Sequence, residues 1–273
     1  MNGRRLFPRN WGFALAIVWL AGLIATALLA GVLPFRDPLK QFDVSFAGPS
    51  LSHPLGTDRL GRDLLSRAVY GARLSLTIGV SAALIGCVIG SLWGLVAGFV
   101  GGRIGAVLMA VVDFLLSFPA LVFALALTAF LGPSAFTVTF VIGVVTVPAF
   151  ARLTRSKVLS LVGREHVSAA VALGRSRFQV ALFEIAPLLL PLVFAYTLIV
   201  VAVAIMVEGS LSFLGAGVKP PQPTWGGMIR DSKSYLGTAI HLLLVPACAM
   251  TLTVLSLNVV GTYIQSVTER DER

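Results

Sequence analysis

LTRSKVLSLVGREHVSAAVALGRSRFQVALFEIAP, residues 153 to 187, is the stretch on which the reading of this chain turns. It lies between two long apolar blocks, one ending near Ala151 and the other opening at Pro187. Between those points stand Arg152, Arg155, Lys157, Arg164, Arg175 and Arg177, opposed only by Glu165 and Glu184. Such a polar island belongs outside a bilayer, and its composition is helical. From Arg164 to Leu173, Val167, Ala170, Val171 and Gly174 recur at spacings of three and four along one side, while Glu165 and Ser168 lie on another. Gly174 permits a sharp turn, and Arg175 to Phe183 can form a second helix leading into Pro187. Small side chains at Ala169, Ala170 and Ala172 let a helix enter a groove closely. Two readings fit: a docking surface for a partner, or an ordinary amphipathic interfacial loop.

Composition sets the class around that island. The 273 residues are 57% hydrophobic and 12% charged, against about 25% charged in a soluble domain. So few charges cannot cover a soluble protein of this length, and the chain reads as an all-α integral membrane protein. The net charge of +9 does not point to nucleic acid, because the basic residues sit in loops between apolar spans, where they mark orientation. Cys87 and Cys248 fall inside apolar runs and read as buried thiols.

Six spans are expected. Trp11 to Leu33 is uncharged and follows Arg4, Arg5 and Arg9; it is too long for a cleaved signal and long enough for a spanning helix. Pro34 to Arg73 is a polar, proline-broken segment, and from Asp63 onward it can form an amphipathic helix at the membrane edge. The second span is expected over about Leu74 to Val100, the third over Ile104 to Leu131, and a shorter fourth over Ala135 to Ala151. The fifth is expected over Pro187 to about Val207, and the sixth over Leu242 to Ile264. Glu208 to Ile240 reads as a second exposed segment. Six spans put both termini on one side. With that side cytoplasmic, inside segments hold 12 Lys and Arg and outside segments nine, a mild bias in the expected direction.

Some single residues invite chemical readings. Asp113 in the third span is either a pathway residue or a structural partner of Arg103 or an island arginine, and the structural role is preferred. Glu208 faces a partner at the outer surface or is solvated. His53, His166 and His241 lie in different elements without metal-ligand spacing. Asn258 reads as an interhelical hydrogen bond, and Trp225 and Tyr235 as interface anchors. No phosphate-binding G-x-x-x-x-G-K-[ST] loop is present.

The island also carries a resemblance. Ser168-Ala169-Ala170, three residues, Gly174 and then Ile185-Ala186-Pro187 resembles the EAA loop of ABC-importer permeases, with Ser168 where Glu is usual and Ala186 where Leu is usual. HPLGTDRLGRDLLSRAVYGARLSL (53 to 76), DFLLSFPALVFALAL (113 to 127) and EGSLSFLGAGVKPPQPTWGGMI (208 to 229) resemble the dipeptide, oligopeptide and nickel permease family, the "C" member of the permease pair. The likeness runs from His53 onward.

That resemblance implies a type I ABC importer transmembrane fold over residues 69–268, preceded by a span and an extracytoplasmic loop over residues 1–68. The coupling loop would lie at about 153–187. It further implies that Glu165, His166, Ser168, Ala169, Ala170 and Gly174 contact the ATPase. The expected partners are a second homologous permease, two ATP-binding subunits that carry ATP and Mg, an extracytoplasmic solute-binding protein, and membrane lipid. The chain would be no enzyme and would hold no cofactor of its own. It would sit in a bacterial inner membrane and form half of a pathway for short peptides. A nickel or other small-solute importer and a secondary transporter are the alternatives.

Overall fold

The computed structural model describes residues 11–271 except residue 43; of His166, Glu269, Arg270 and Asp271 only the backbone is described. The amino-terminal arginines and the last residues of the tail lie outside that range. Ten α-helices occur among the described residues: α1 (Trp11–Leu28), α2 (Leu64–Val100), α3 (Gly102–Leu116), α4 (Ala120–Leu131), α5 (Ala135–Val162), α6 (Glu165–Ala172), α7 (Arg177–Gln179), α8 (Ala186–Phe213), α9 (Trp225–Ser232) and α10 (His241–Asp271). No strand longer than an isolated bridge occurs among them. A wide helical turn, Val180–Ile185, joins α7 to α8. Pro187 explains it: its nitrogen has no hydrogen for the Phe183 carbonyl, and its ring crowds that carbonyl, so the helix widens there.

Among the described residues five helices are long and apolar enough to cross a membrane, and α3 with α4 makes a sixth if the pair, bent by 85°, is one broken span. Its two halves pack at opposite ends of α2. Met109 and Val112 of α3 lie with Ala97 and Ala151, whereas Ala124 of α4 lies with Ile78, Ala82, Val138 and Val141. Ile78 and Ala97 are about 28 Å apart along a helix of 1.5 Å rise, so the broken pair traverses the bundle. The continuous third span expected from the sequence is therefore corrected: Ser117, Phe118 and Pro119 interrupt it. Pro119 disfavours α-helical backbone at Phe118 and cannot continue the helix itself.

The centre of the bundle is the α2–α5 pair. In lipid, where the apolar solvent gives no hydrophobic drive between helices, packing relies on small residues that let backbones approach. Gly86, Gly90, Gly94 and Gly98, one turn apart on α2, abut Thr146, Phe150, Thr154 and Val158 of α5. A Cβ at Gly90 would stand 2.5 Å from the Val147 carbonyl oxygen and 2.6 Å from Phe150 Cβ. Opposite faces of α2 and α3 expose Val88, Leu92, Val96, Val107 and Val111, as a lipid- or partner-facing surface requires. At the periphery, α1 leans on α10 through a Phe13–Tyr263 ring contact of 4.2 Å and a 3.1 Å hydrogen bond from Trp19 to Thr253.

The segment before α2 folds tightly rather than trailing as a loop. Asp63 caps α2 by accepting from the Ser66 amide at 2.8 Å and its hydroxyl at 2.7 Å, and it pairs with His53 at 3.0 Å. Burial works against the Asp63 carboxylate, but the Ser66 and His53 contacts outweigh it and hold the group below its ordinary value. Gly61, at φ +71°, lies against the Phe42 backbone where no Cβ fits. Asp58 holds Arg62 at 2.6 Å and Arg67 at 3.4 Å. Here α2 begins, ten residues before the expected second span, because the amphipathic edge helix and the span are one element.

Candidate functional site

The sequence between α5 and α8 builds a short platform off the ends of two spans. Helix α5 runs on to Val162 rather than stopping at Ala151, so Arg152, Arg155 and Lys157 ride on the end of a span. After Gly163 the chain turns into α6. Val167 and Ala170 point inward, 3% and 6% exposed, and join a cluster with Leu161, Val180 and Ile185. Glu165, Ser168, Ala169, Val171 and Leu173 face outward. Two of these are apolar: Val171 is 55% exposed and Leu173 85%.

The end of α6 is a glycine cap. Gly174 has φ +83°, its amide donates to the Val171 carbonyl at 3.0 Å, and the Arg175 amide donates to Ala170 at 3.2 Å. That pair of bonds is the Schellman arrangement, which asks for glycine at the left-handed position. Ser176 then opens α7 with a capping box closed by Gln179, and Arg175 pairs with Glu184. Of the expected contact residues, Glu165, Ser168 and Ala169 share the outward side, Ala170 is buried beneath it, and Gly174 shapes the turn. The backbone of His166 lies in α6; its side chain is outside the description.

Other residues landed elsewhere than expected. Glu208 does not end a span at the surface: it is fully buried in α8, which continues to Phe213. Its two carboxylate oxygens accept from Ser75 at 3.0 Å and Ser212 at 2.7 Å. Trp225 is not an exposed anchor either. It is fully buried, its amide donates to Ser75 Oγ at 3.3 Å and its indole to the Ala68 carbonyl at 3.1 Å. Gly226 makes this possible, since a Cβ there would sit 2.6 Å from Gly209 Cα. The Gly- and Pro-rich segment thus folds α9 back between α2, α8 and α10, and Glu208 ties the junction.

Asp113 reaches Arg152 at 2.7 Å, with both side chains more than half exposed, which is the structural pairing with an island arginine. Asn258 donates to Val254 of its own helix at 2.8 Å, not across helices. Cys248 is exposed on the bundle surface and Cys87 half-buried, so neither is the buried thiol expected. Among the described residues no three His, Cys, Asp or Glu side chains gather as a metal site. The Glu208 and Trp225 arrangements left only a trace in the sequence, polar residues (Ser75, Ser212, Thr224) interrupting apolar or glycine-rich runs, and nothing there pairs them with each other.

Comparison with known proteins now adds to this geometry. Residues 90–273 match the family described as "Binding-protein-dependent transport system inner membrane component". The glutathione transport system permease protein GsiD of Salmonella typhimurium (strain LT2) is 38% identical over 259 residues, covering 94% of this chain and 86% of the relative. GsiD of Escherichia coli O6:K15:H31 (strain 536) and of Shigella sonnei (strain Ss046) are 36% identical over the same coverage. This sets aside the secondary-transporter alternative. An all-helical bundle with a polar platform between its fourth and fifth spans, matched over two thirds of its length, belongs to the binding-protein-dependent inner membrane components: the chain is a multi-pass permease subunit of an ABC importer and not itself a catalyst.

Proposed function

We propose that the chain forms half of a translocation pathway for short peptides delivered by an extracytoplasmic binding protein, beside a second homologous permease. Two ATP-binding subunits, carrying ATP and Mg, drive it through α6. The observation that carries this reading is the platform: an eight-residue helix whose inner side is anchored in the core and whose outer side leaves Val171 and Leu173 uncovered. Glu165, Ser168 and Ala169 lie on that outer side, and His166 belongs to the same helix. Small and apolar residues at helical spacing suit a groove in a partner. Peptide as the solute is favoured by the likeness to permeases named for glutathione, itself a small peptide.

We assign the platform and both ends of the chain to the cytoplasm; six crossings, with α3 and α4 counted as one broken span, support this reading. A Ser168→Cys variant in a chain with Cys87 and Cys248 replaced by serine tests it. An impermeant maleimide should label that cysteine in inverted vesicles and not in intact cells, and the ATP-binding subunits should shield it. Labelling from outside intact cells would put the platform on the wrong face and end the reading.

A further inference from the structure

A cavity of about 340 Å³ opens between the segment preceding α2 and the 218–231 segment around α9. Its charged lining is Arg59, Arg62, Arg67, Arg230 and Asp231. Arg62 and Arg67 line it while only 7% and 4% exposed, and both pair with Asp58. Arg230 pairs with Asp231 at 3.0 Å. Among the described residues Arg59 forms no ion pair, and it is exposed. Four guanidiniums against two carboxylates leave two positive charges around one concavity. Guanidiniums present forked donors that match a carboxylate, and partial burial strengthens that attraction. The volume lies at the small end of the range for small-molecule sites, which suits two or three residues of peptide. A concavity also suits a small solute better than a flat protein surface does.

We propose that this cavity is a subsite for the free carboxylate of a short peptide, so that the permease itself discriminates between anionic and amidated solutes. The proposal rests on the peptide reading above. Arg59 and Arg230 meet the incoming carboxylate, while Arg62 and Arg67, fixed by Asp58, add positive charge to the lining.

The test uses the complete importer in proteoliposomes with its binding protein and partner subunits. Uptake of glutathione and of trialanine is measured with the peptide C terminus free or amidated. The binding protein is the same throughout, so any change in the free-to-amidated ratio belongs to the permease. Arg59→Gln combined with Arg230→Gln should lower that ratio about tenfold, the scale of one charge-assisted hydrogen bond, and Arg59→Lys should keep part of it. A ratio unchanged by the double variant overturns the subsite. Equal losses for both forms also overturn it, because the cavity then meets the binding protein rather than the solute. If the double variant fails to assemble, Arg59→Gln alone is read by the same ratio, since that exposed side chain forms no ion pair among the described residues. Wild-type importer that takes up neither peptide in either form would instead refute the peptide reading.

Discussion

Replacing Gly174 by valine should uncouple the importer without unfolding it. Gly174 sits at φ +83° with no atom within 4 Å of a Cβ, so the substitution meets no clash and the whole penalty is in the backbone. An L-residue in the left-handed region costs about 1–2 kcal/mol, and β-branched valine falls at the upper end. The chain can relieve this only by rotating the turn, which breaks the bonds to Val171 and Ala170, each worth about 0.5–1.5 kcal/mol. Either route disfavours the present setting of α6 by a factor of roughly 5–30. The core contacts of Val167 and Ala170 lie on the other side of α6, so insertion and bundle assembly should survive. The assay is ATPase activity of the reconstituted importer with and without loaded binding protein: stimulation should fall by about that factor in Gly174→Val. Gly174→Asn should lose less, because asparagine tolerates the left-handed region. Wild-type stimulation in a correctly inserted Gly174→Val protein, or equal loss in both variants, would refute the reasoning.

Three further outcomes follow from the fold. Gly90→Leu forces α2 from α5 and should destabilise by about 1–3 kcal/mol or more, lowering the melting temperature in detergent, whereas Val88→Leu on the exposed face should leave it within error. Glu208→Ala strands the Ser75 and Ser212 hydroxyls, at about 1–3 kcal/mol, so its melting temperature should drop; Glu208→Gln, which keeps an acceptor, should retain most of the stability. Asp63 has a folded pKa below its ordinary value of 3.8. Its stabilisation is therefore full above that value and disappears as the pH falls through the lower folded one. Acid titration of melting temperature should show that component in wild type and lack it in Asp63→Asn, which keeps the cap.

The spans were legible because lipid demands about twenty apolar residues in a row, and that demand is written residue by residue. The polar platform was legible for the complementary reason: six basic residues cannot stay in hydrocarbon. What escaped was geometry that leaves composition unchanged. Apart from Asp113, residues 104–131 carry no charge through the bend, and only Pro119 marks it. Glycine and proline between 215 and 227 read as an exposed loop, yet Gly226 is there to bring α9 against Gly209, and Trp225 fills the space behind it. Glu208 was misplaced with them, because a buried carboxylate is recognisable only when its hydroxyl donors, 133 positions away at Ser75 and four away at Ser212, are seen together.

The glycine row of α2 has one more implication. From Gly86 to Gly98 the two backbones interlock over about 18 Å, with each α5 side chain seated where a Cβ is missing. Sliding α5 along its axis by even one residue would drive Phe150 or Thr154 out of its notch and into the helix wall. The pair can tilt or swing as a strut, but it cannot telescope. A push delivered at the foot of α5 must therefore arrive at the far end of α2 at full stroke.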